Sequence, residues 1–339
     1  MPTNKKRVTV AMVANHAGVS RAVVYAILNP TKVTNIGVST ATRAKVENAI
    51  QELGYLPNNS ARTLVSGRSH NIGLVMPDQD TPLFRNLVRG MVDTFASHGY
   101  MIFQEYHRSS ASKERSILEK LFSQGVDGLI ISRVNASTNS DLLERFIHCN
   151  VPVTILGADD TANLAASCVA FDEQAVMRLL VQHLETTGAK KIGYLSFCEH
   201  QQQSGKIRQR YLENALVNSS ISLAKSLEIT DYASCKNAVS IFVTDKIDSI
   251  ICFNDEIAHA IVNAALEMGM SIPAKLQILG IDGYTAPLAS RAVTSVKLPC
   301  DAFVDHCWNA FEASIERNEL MPLATVSPRL VLGETTRHV

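Results

Sequence analysis

From residue 71 onward the chain alternates short β-type apolar runs with amphipathic helical segments, and it does so twice. IGLVM, MIFQEY, GLIIS and VPVTIL are separated by helical patterns such as 83–98 and 113–124; the alternation restarts at KIGYLSF and continues through SIICF and LQILGI. Strands separated by helices pair in parallel, because the crossover helix returns the chain to its starting edge. Two such series predict two parallel-sheet lobes, with ligands bound beyond the carboxyl ends of the strands. A chain of 339 residues, 46% hydrophobic, can fill two such cores and a further small domain.

The first seventy residues have a different character. They hold nine lysines and arginines against Glu47 and Glu52, a balance of +7, and the other 269 residues hold 23 basic and 30 acidic ones. A basic head on an acidic body suits a polyanion partner for the head alone, or equally a solvated basic surface. Three helices are expected there. Thr9 caps the first, whose Val10, Val13, Ala14 and Ala17 share a face, and Gly18 closes it in the left-handed conformation. Val19 plugs the gap and Ser20 caps the second helix. Val24, Ile27 and Leu28 turn inward on it, and Arg21, Ala22, Tyr25 and Ala26 turn outward. The third starts at Ser39, carries the stripe Val46, Ala49, Ile50, Leu53, and stops at Gly54. This is the pattern of a helix-turn-helix with a supporting helix, although any helical hairpin can show A-x3-G-V-S.

Longer stretches are more specific. VTVAMVANHAGVSRAVVYAILN, VSTATRAKVENAIQELGYLPNNSARTL, IGLVMPD, GVDGLIIS, VPVTILGAD, HLETTGAKKIGYLSF, ICFNDEIAHAIVNAALEMGMSIPAKLQILGIDGY and AVTSVKLP together resemble the LacI/GalR family of bacterial transcription factors along nearly the whole chain. The resemblance implies an all-α helix-turn-helix head (1–57), a hinge (58–70) and a two-lobed α/β body of the type I periplasmic-binding-protein fold. The head-proximal lobe is then 71–171 with 299–323, and the distal lobe 172–298 with 324–339. It also implies a homodimer that reads near-palindromic double-stranded DNA, with a sugar-like effector between the lobes.

Candidate effector residues lie where strands end: Asn254 and Asp255 after SIICF, and Asp282 after LQILGI. Polar groups there suit a hydroxyl-rich ligand, yet Asn or Asp after a strand also caps helices and makes turns. The resemblance adds Asp172, Arg208 in RQRYLENAL, and Phe84 in PLFRNLVRGM, where an aromatic stacks on the ligand or lines the cleft; for Phe84, core packing is the competing expectation. For DNA, the outward face of helix two and the resemblance together point to Thr9, Ser20, Arg21, Ala22, Tyr25, Ala26, Asn59, Ala61 and Leu64, and Lys32 in the long loop after helix two is expected to reach a phosphate. The segment 58–66 would turn helical on DNA, with Leu64 wedged into the minor groove.

The chain departs from the family pattern in several places. Val23, Val24, Tyr25 and Ala26 stand where Ser/Thr-Val-Ser-Arg is usual, which removes a base-reading arginine and leaves Arg21 to read guanine. The loop 29–38 is about four residues longer than usual by this resemblance. FDEQAV replaces Asp-Asn-x-x-Gly, and Tyr211 stands where glycine is common, so the cleft is altered.

Other classes fit less well. A secreted binding protein would begin with a signal peptide and lack a basic helical head, whereas MPTNKKRVTV has no apolar run behind its basic residues. No dinucleotide fingerprint, P-loop, zinc-protease or nucleophile-elbow motif occurs, so no enzymatic activity and no cofactor are expected. Seven scattered cysteines without a C-x-x-C pair suit reduced thiols in the cytoplasm. Cys300 with His306 and Cys307 has irregular spacing for a metal and falls on the expected core stripe Phe303, Cys307, Phe311, Ile315, so no metal is expected. No apolar run approaches a membrane span. The expectation is a DNA-binding regulator, a repressor in sign, answering to a small molecule.

Overall fold

The computed structural model describes residues 8–28, 37–55, 67–78, 81–157, 164–197, 203–284 and 290–338. The chain forms two units, 1–69 and 70–339. Lys32, Asn59, Ala61 and Leu64, and with them the long loop and the hinge, lie outside the described residues.

Among the described residues the first unit holds three helices: α1 (Val10–Ala17), α2 (Arg21–Leu28) and α3 (Thr40–Leu53). Thr9 caps α1, its side chain accepting from the Met12 amide, and Gly18 ends it at φ 67°, a conformation that costs glycine little. Ser20 Oγ accepts from the Val23 amide. The short turn reorients the chain by 108° between α1 and α2, within the range of a helix-turn-helix pair. Ser39 caps α3 and Gly54 ends it at φ 60°. Val10, Val13, Ala14, Val24, Ile27, Val46, Ala49 and Tyr55 form the core, with Leu28 only half-buried. Ala26, expected on the outward face, is 9% exposed and lies outside this core. A methyl group sits low on a helix, so larger neighbouring side chains screen it from solvent.

The second unit contains two six-stranded sheets. The first sheet is made by β1 (Asn71–Met76), β2 (Met101–Tyr106), β3 (Gly128–Ile131), β4 (Val153–Leu156), β5 (Ser167–Phe171) and β11 (Ala324–Val326). Its order is β11-β5-β4-β3-β1-β2, parallel throughout. Helices α4 (Pro82–Ser97), α5 (Ala111–Gln124), α6 (Ser140–His148) and α11 (Cys300–Arg317) pack on it. The second sheet is made by β6 (Lys191–Phe197), β7 (Ser222–Ile229), β8 (Ser249–Cys252), β9 (Gln277–Asp282), β10 (Thr294–Lys297) and β12 (Arg329–Val331). Its order is β12-β10-β9-β8-β6-β7, with only β12 antiparallel. Helices α7 (Glu173–Thr186), α8 (Gln203–Leu216), α9 (Cys235–Thr244) and α10 (Asp255–Glu267) cover it. The interior strands β3, β4 and β8 are buried at every residue, as expected of strands with helices on both faces.

The chain passes between the sheets after β5, after β10 and after β11. The last of these passages corrects the expected boundary at 324: Ala324, Thr325 and Val326 pair with Val169, Ala170 and Phe171 in the first sheet, and the switch falls between Val326 and Arg329. Three residues with no helix before the switch carry no periodicity from which to read it. On α11, Phe303, Cys307 and Phe311 are buried and Ile315 packs beside them, as the stripe predicts.

Candidate functional site

A cavity of about 440 Å³ opens between the carboxyl ends of the two sheets. Phe84, His107, Ser132, Arg133 and Phe303 are among its lining from the first sheet's side; Asp172, Glu173, Arg208, Tyr211, Phe253, Asn254 and Asp282 line it from the second. Five of the six expected effector residues meet here, although they are spread over nearly 200 positions in sequence. Beyond the strand ends they lie where open α/β folds bind ligands.

Arg208 organises the distal wall. It sits on α8, held in place partly by Tyr194, a buried β6 residue whose hydroxyl donates to the Gly205 carbonyl at 3.2 Å. Its Nε donates to Glu173 Oε2 at 2.9 Å and its Nη2 to Oε1 at 3.0 Å, a fork-to-fork pair; Nη1 donates to the Phe253 carbonyl at 2.5 Å. The guanidinium also lies over the Phe253 ring, 4.6 Å from its centroid. Burial works against the charge of Arg208, but the Glu173 carboxylate outweighs it and the pKa is raised. Both residues come from helices, and the pair joins the first turn of α7 to α8.

Asn254 and Asp172 each combine a helix cap with a place on the cavity wall. Asn254 caps α10, its Oδ1 accepting from the Ile257 amide at 2.9 Å, and Asp172 caps α7, its Oδ1 accepting from the Ala175 amide at 2.8 Å. Each also lines the cavity. Asp282 ends β9 at φ 116°, and its Oδ1 is buried without a hydrogen-bond partner. Burial pushes its carboxyl well above the usual carboxylate range, opposed by Arg208 nearby. A buried acceptor facing no donor is uncommon in folded proteins, where such groups are nearly always paired. Phe84, near the start of α4, lines the cavity and also packs on the core of the first sheet, so both of its expected roles are present.

Asp255 is the exception. It is fully buried and does not line the cavity; its Oδ2 accepts from the Tyr284 amide at 2.6 Å, and a Cβ on Gly280 would stand 1.9 Å from its Oδ1. Asn254 sits at the cap and Asp255 one step further round α10, which turns its side chain into the helix–sheet seam. It positions the segment after β9. Burial pushes its carboxyl up to about 7.

On the proximal wall the sequence reading singled out Phe84 but missed His107 and Arg133. His107 follows β2 and Arg133 follows β3, and both are buried. His107 Nδ1 accepts from the Ser109 amide at 3.0 Å, which leaves Nε2 to donate to the Ser132 carbonyl at 2.9 Å; burial lowers its pKa. Arg133 Nη2 donates to the Thr138 carbonyl and to Ser140 Oγ. Beneath them Glu114, fully buried, accepts from the Val134 amide at 2.7 Å and from Asn139 Nδ2 at 2.8 Å. The strand-end rule, applied to β2 and β3 as it was to β8 and β9, finds both wall residues.

In the first unit, Arg21, Ala22 and Tyr25 are exposed along α2, with Thr9 and Ser20 exposed at the two helix starts. This leaves one side of α2 accessible to a partner. Ala26 is the buried exception on that helix.

Residues 9–58 match the description "Bacterial regulatory proteins, lacI family", and residues 72–290 match "Periplasmic binding protein domain". Catabolite control protein A of Staphylococcus xylosus is 28% identical over 280 residues, 81% of this chain and 82% of that protein. Its counterpart in Staphylococcus aureus strain MRSA252 is 29% identical over 279 residues, with the same coverage. Among solved structures, the Lac repressor dimer bound to operator and the anti-inducer ONPF matches with a TM-score of 0.85 at 22% identity, over 97% of this chain and 99% of that one. The CelR–cellobiose complex matches with a TM-score of 0.66 at 23% identity, over 97% and 100%. A helix-turn-helix unit followed by a two-lobed binding-protein body is the architecture of a DNA-binding transcriptional regulator rather than an enzyme. The chain belongs to the lacI family of bacterial regulatory proteins.

Proposed function

We propose that this regulator is a homodimeric repressor of a near-palindromic double-stranded DNA operator, controlled by a small, hydroxyl-rich, sugar-like effector bound between its lobes. The observation that carries the effector assignment is the buried, unpartnered Oδ1 of Asp282 on a cavity that also contains Arg208 and Asn254. Sugar hydroxyls both donate and accept, so one hydroxyl pair can satisfy an aspartate acceptor and an arginine donor together. An aromatic at Phe84 and apolar groups such as Phe303 suit the hydrophobic face of a sugar ring. The structural neighbour named as a cellobiose complex agrees with this class.

For DNA, α2 enters the major groove with Arg21 reading a base and Ala22 and Tyr25 beside it, while Thr9, Ser20 and Lys32 meet the backbone. Asn59, Ala61 and Leu64 form the minor-groove contact at the operator centre, with Leu64 as the apolar wedge. Effector binding moves the lobes, separates the two hinges and weakens that central contact.

The test couples two measurements on the full-length protein. Operator fragments are selected from random DNA, and a panel of neutral sugars is screened for ligands that raise the melting temperature and then change operator affinity. A sugar that does both, through a site lost in Asp282→Ala, is the expected result. Thermal stabilisation that survives Asp282→Ala refutes the site, and operator binding that falls when a stabilising sugar is absent rather than present reverses the sign of control.

A further inference from the structure

Asp172, Glu173 and Asp282 are the described carboxyl groups that line the cavity, and Arg208 is the guanidinium among them on the distal wall. Most of the donors of Arg208 are already engaged there. Glu173 occupies its Nε and Nη2 edge at 2.9 and 3.0 Å, and the Phe253 carbonyl takes Nη1. The residue is nearly inaccessible, and its plane lies over the Phe253 ring. Of the two guanidinium edges that can bind a carboxylate or phosphate in two parallel hydrogen bonds, Glu173 fills the Nε–Nη2 edge, and the Phe253 carbonyl takes a donor on Nη1 at the other. The hydrogens that remain on Nη1 and Nη2 can still donate to hydroxyls. With or without a proton on Asp282, the carboxylates of this wall outnumber its one guanidinium.

We infer that Glu173 is a specificity-determining residue, which closes the cleft to anionic ligands and restricts the effector to uncharged polyhydroxylated molecules. This rests on the reading of the cleft as the effector site, and it narrows that reading: sugar phosphates and sugar acids are excluded, and their neutral parents are admitted. FDEQAV, where the resemblance leads one to expect Asp-Asn, is the sequence mark of this device. An asparagine would bring no charge to Arg208, whereas Glu173 brings a full one. The opposite wall contributes Arg133 and His107. Arg133 is engaged by the Thr138 carbonyl and Ser140 Oγ, and burial favours the neutral form of His107. With Arg133 counted, the carboxylates balance the guanidinium groups while Asp282 holds a proton and exceed them by one when it does not, so the cavity offers an anion no net positive charge.

The experiment measures binding of matched probes to full-length wild type, Glu173→Gln and Arg208→Gln: galactose with galacturonate, glucose with glucose 6-phosphate, and glucose with glucosamine below the amino sugar's pKa. Ionic strength is held constant. Glu173→Gln keeps the shape and an acceptor but frees the charge of Arg208, so one of the two anions should bind about tenfold or more tightly than to wild type. Arg208→Gln leaves the charge of Glu173 uncompensated, and its preference for glucosamine over glucose should rise by a similar factor. Wild type binding either anion as tightly as its neutral parent overturns the inference, as does an unchanged anion affinity in folded Glu173→Gln. If that variant does not fold, an unchanged glucosamine preference in Arg208→Gln overturns it. Anion binding gained by Glu173→Gln, where wild type binds no neutral sugar, upholds the exclusion device while removing the sugar reading.

Discussion

Glu114 offers a sharp test of what holds the proximal wall of the cleft. It lies on α5 at 0% exposure, and both of its oxygens accept, one from the Val134 amide at 2.7 Å and the other from Asn139 Nδ2 at 2.8 Å. Those bonds anchor the segment that carries Arg133 from β3 to the start of α6. Glu114→Ala leaves the buried Val134 amide unmatched, at a cost of about 1–3 kcal/mol, and takes one of two acceptors from half-buried Asn139 Nδ2, which still donates to the Ala111 carbonyl. Removing the side chain's methylene groups from a packed site adds to this, so the expected loss is about 2–4 kcal/mol. Glu114→Gln keeps one good acceptor but sets an amide NH₂ against a donor, and should lose about half as much. The single tryptophan, Trp308, packs on the core of the same sheet through α11, so its fluorescence reports this lobe directly. With a urea slope of about 2–3 kcal/mol per molar, the Glu114→Ala midpoint should fall by roughly 1–2 M. The reasoning is refuted if Glu114→Ala shifts the midpoint by less than a few tenths of a molar, or if Gln is as damaging as Ala.

Gly280→Ala should destabilise the distal lobe by about 1–3 kcal/mol, because its Cβ would stand 1.9 Å from Asp255 Oδ1. Combined with Asp255→Ala the loss should be clearly less than additive, and a strictly additive double-mutant cycle would show that the contact is not what limits that position. Asp255 is held up to about 7 by burial, far above an exposed aspartate. The native state therefore binds its proton more tightly than the unfolded chain, and the associated stability is present below about pH 4 and lost as pH rises through about 7. Asp255→Asn should accordingly gain stability relative to wild type between pH 5 and pH 8 on this linkage, and denaturation curves at those two pH values with equal differences would contradict it. In the head, Arg21→Ala should relax base preference at one position of each half-site by about 1–3 kcal/mol with a smaller change in nonspecific binding; selection of an unaltered operator would remove α2 from the reading role.

Local chemistry was legible without a fold. Thr9, Gly18, Ser39 and Gly54 mark helix ends because capping involves atoms no more than a few residues apart, and the structure puts each where that chemistry requires. The alternation of strands and helices was legible for the same reason, and the strand-end rule then carried Asn254 and Asp282 to one cavity, where the family resemblance had added Asp172. What only the tertiary structure decided involves partners distant in the chain or a choice between the faces of one element. Glu173 and Arg208 are 35 residues apart, and nothing in either neighbourhood announces that one fills the other's fork. Adjacent Asn254 and Asp255 have similar chemistry, yet about 100° of helical rotation per residue sends one to the cleft and the other into a seam with Gly280. Ala26 is screened although its helical position faces outward, and Ala324–Val326 joins the first sheet although a boundary at 324 would place it in the second. Sequence periodicity records which residues an element must bury; which partner then covers them, and which buried charge is matched or left waiting, is decided when the elements pack.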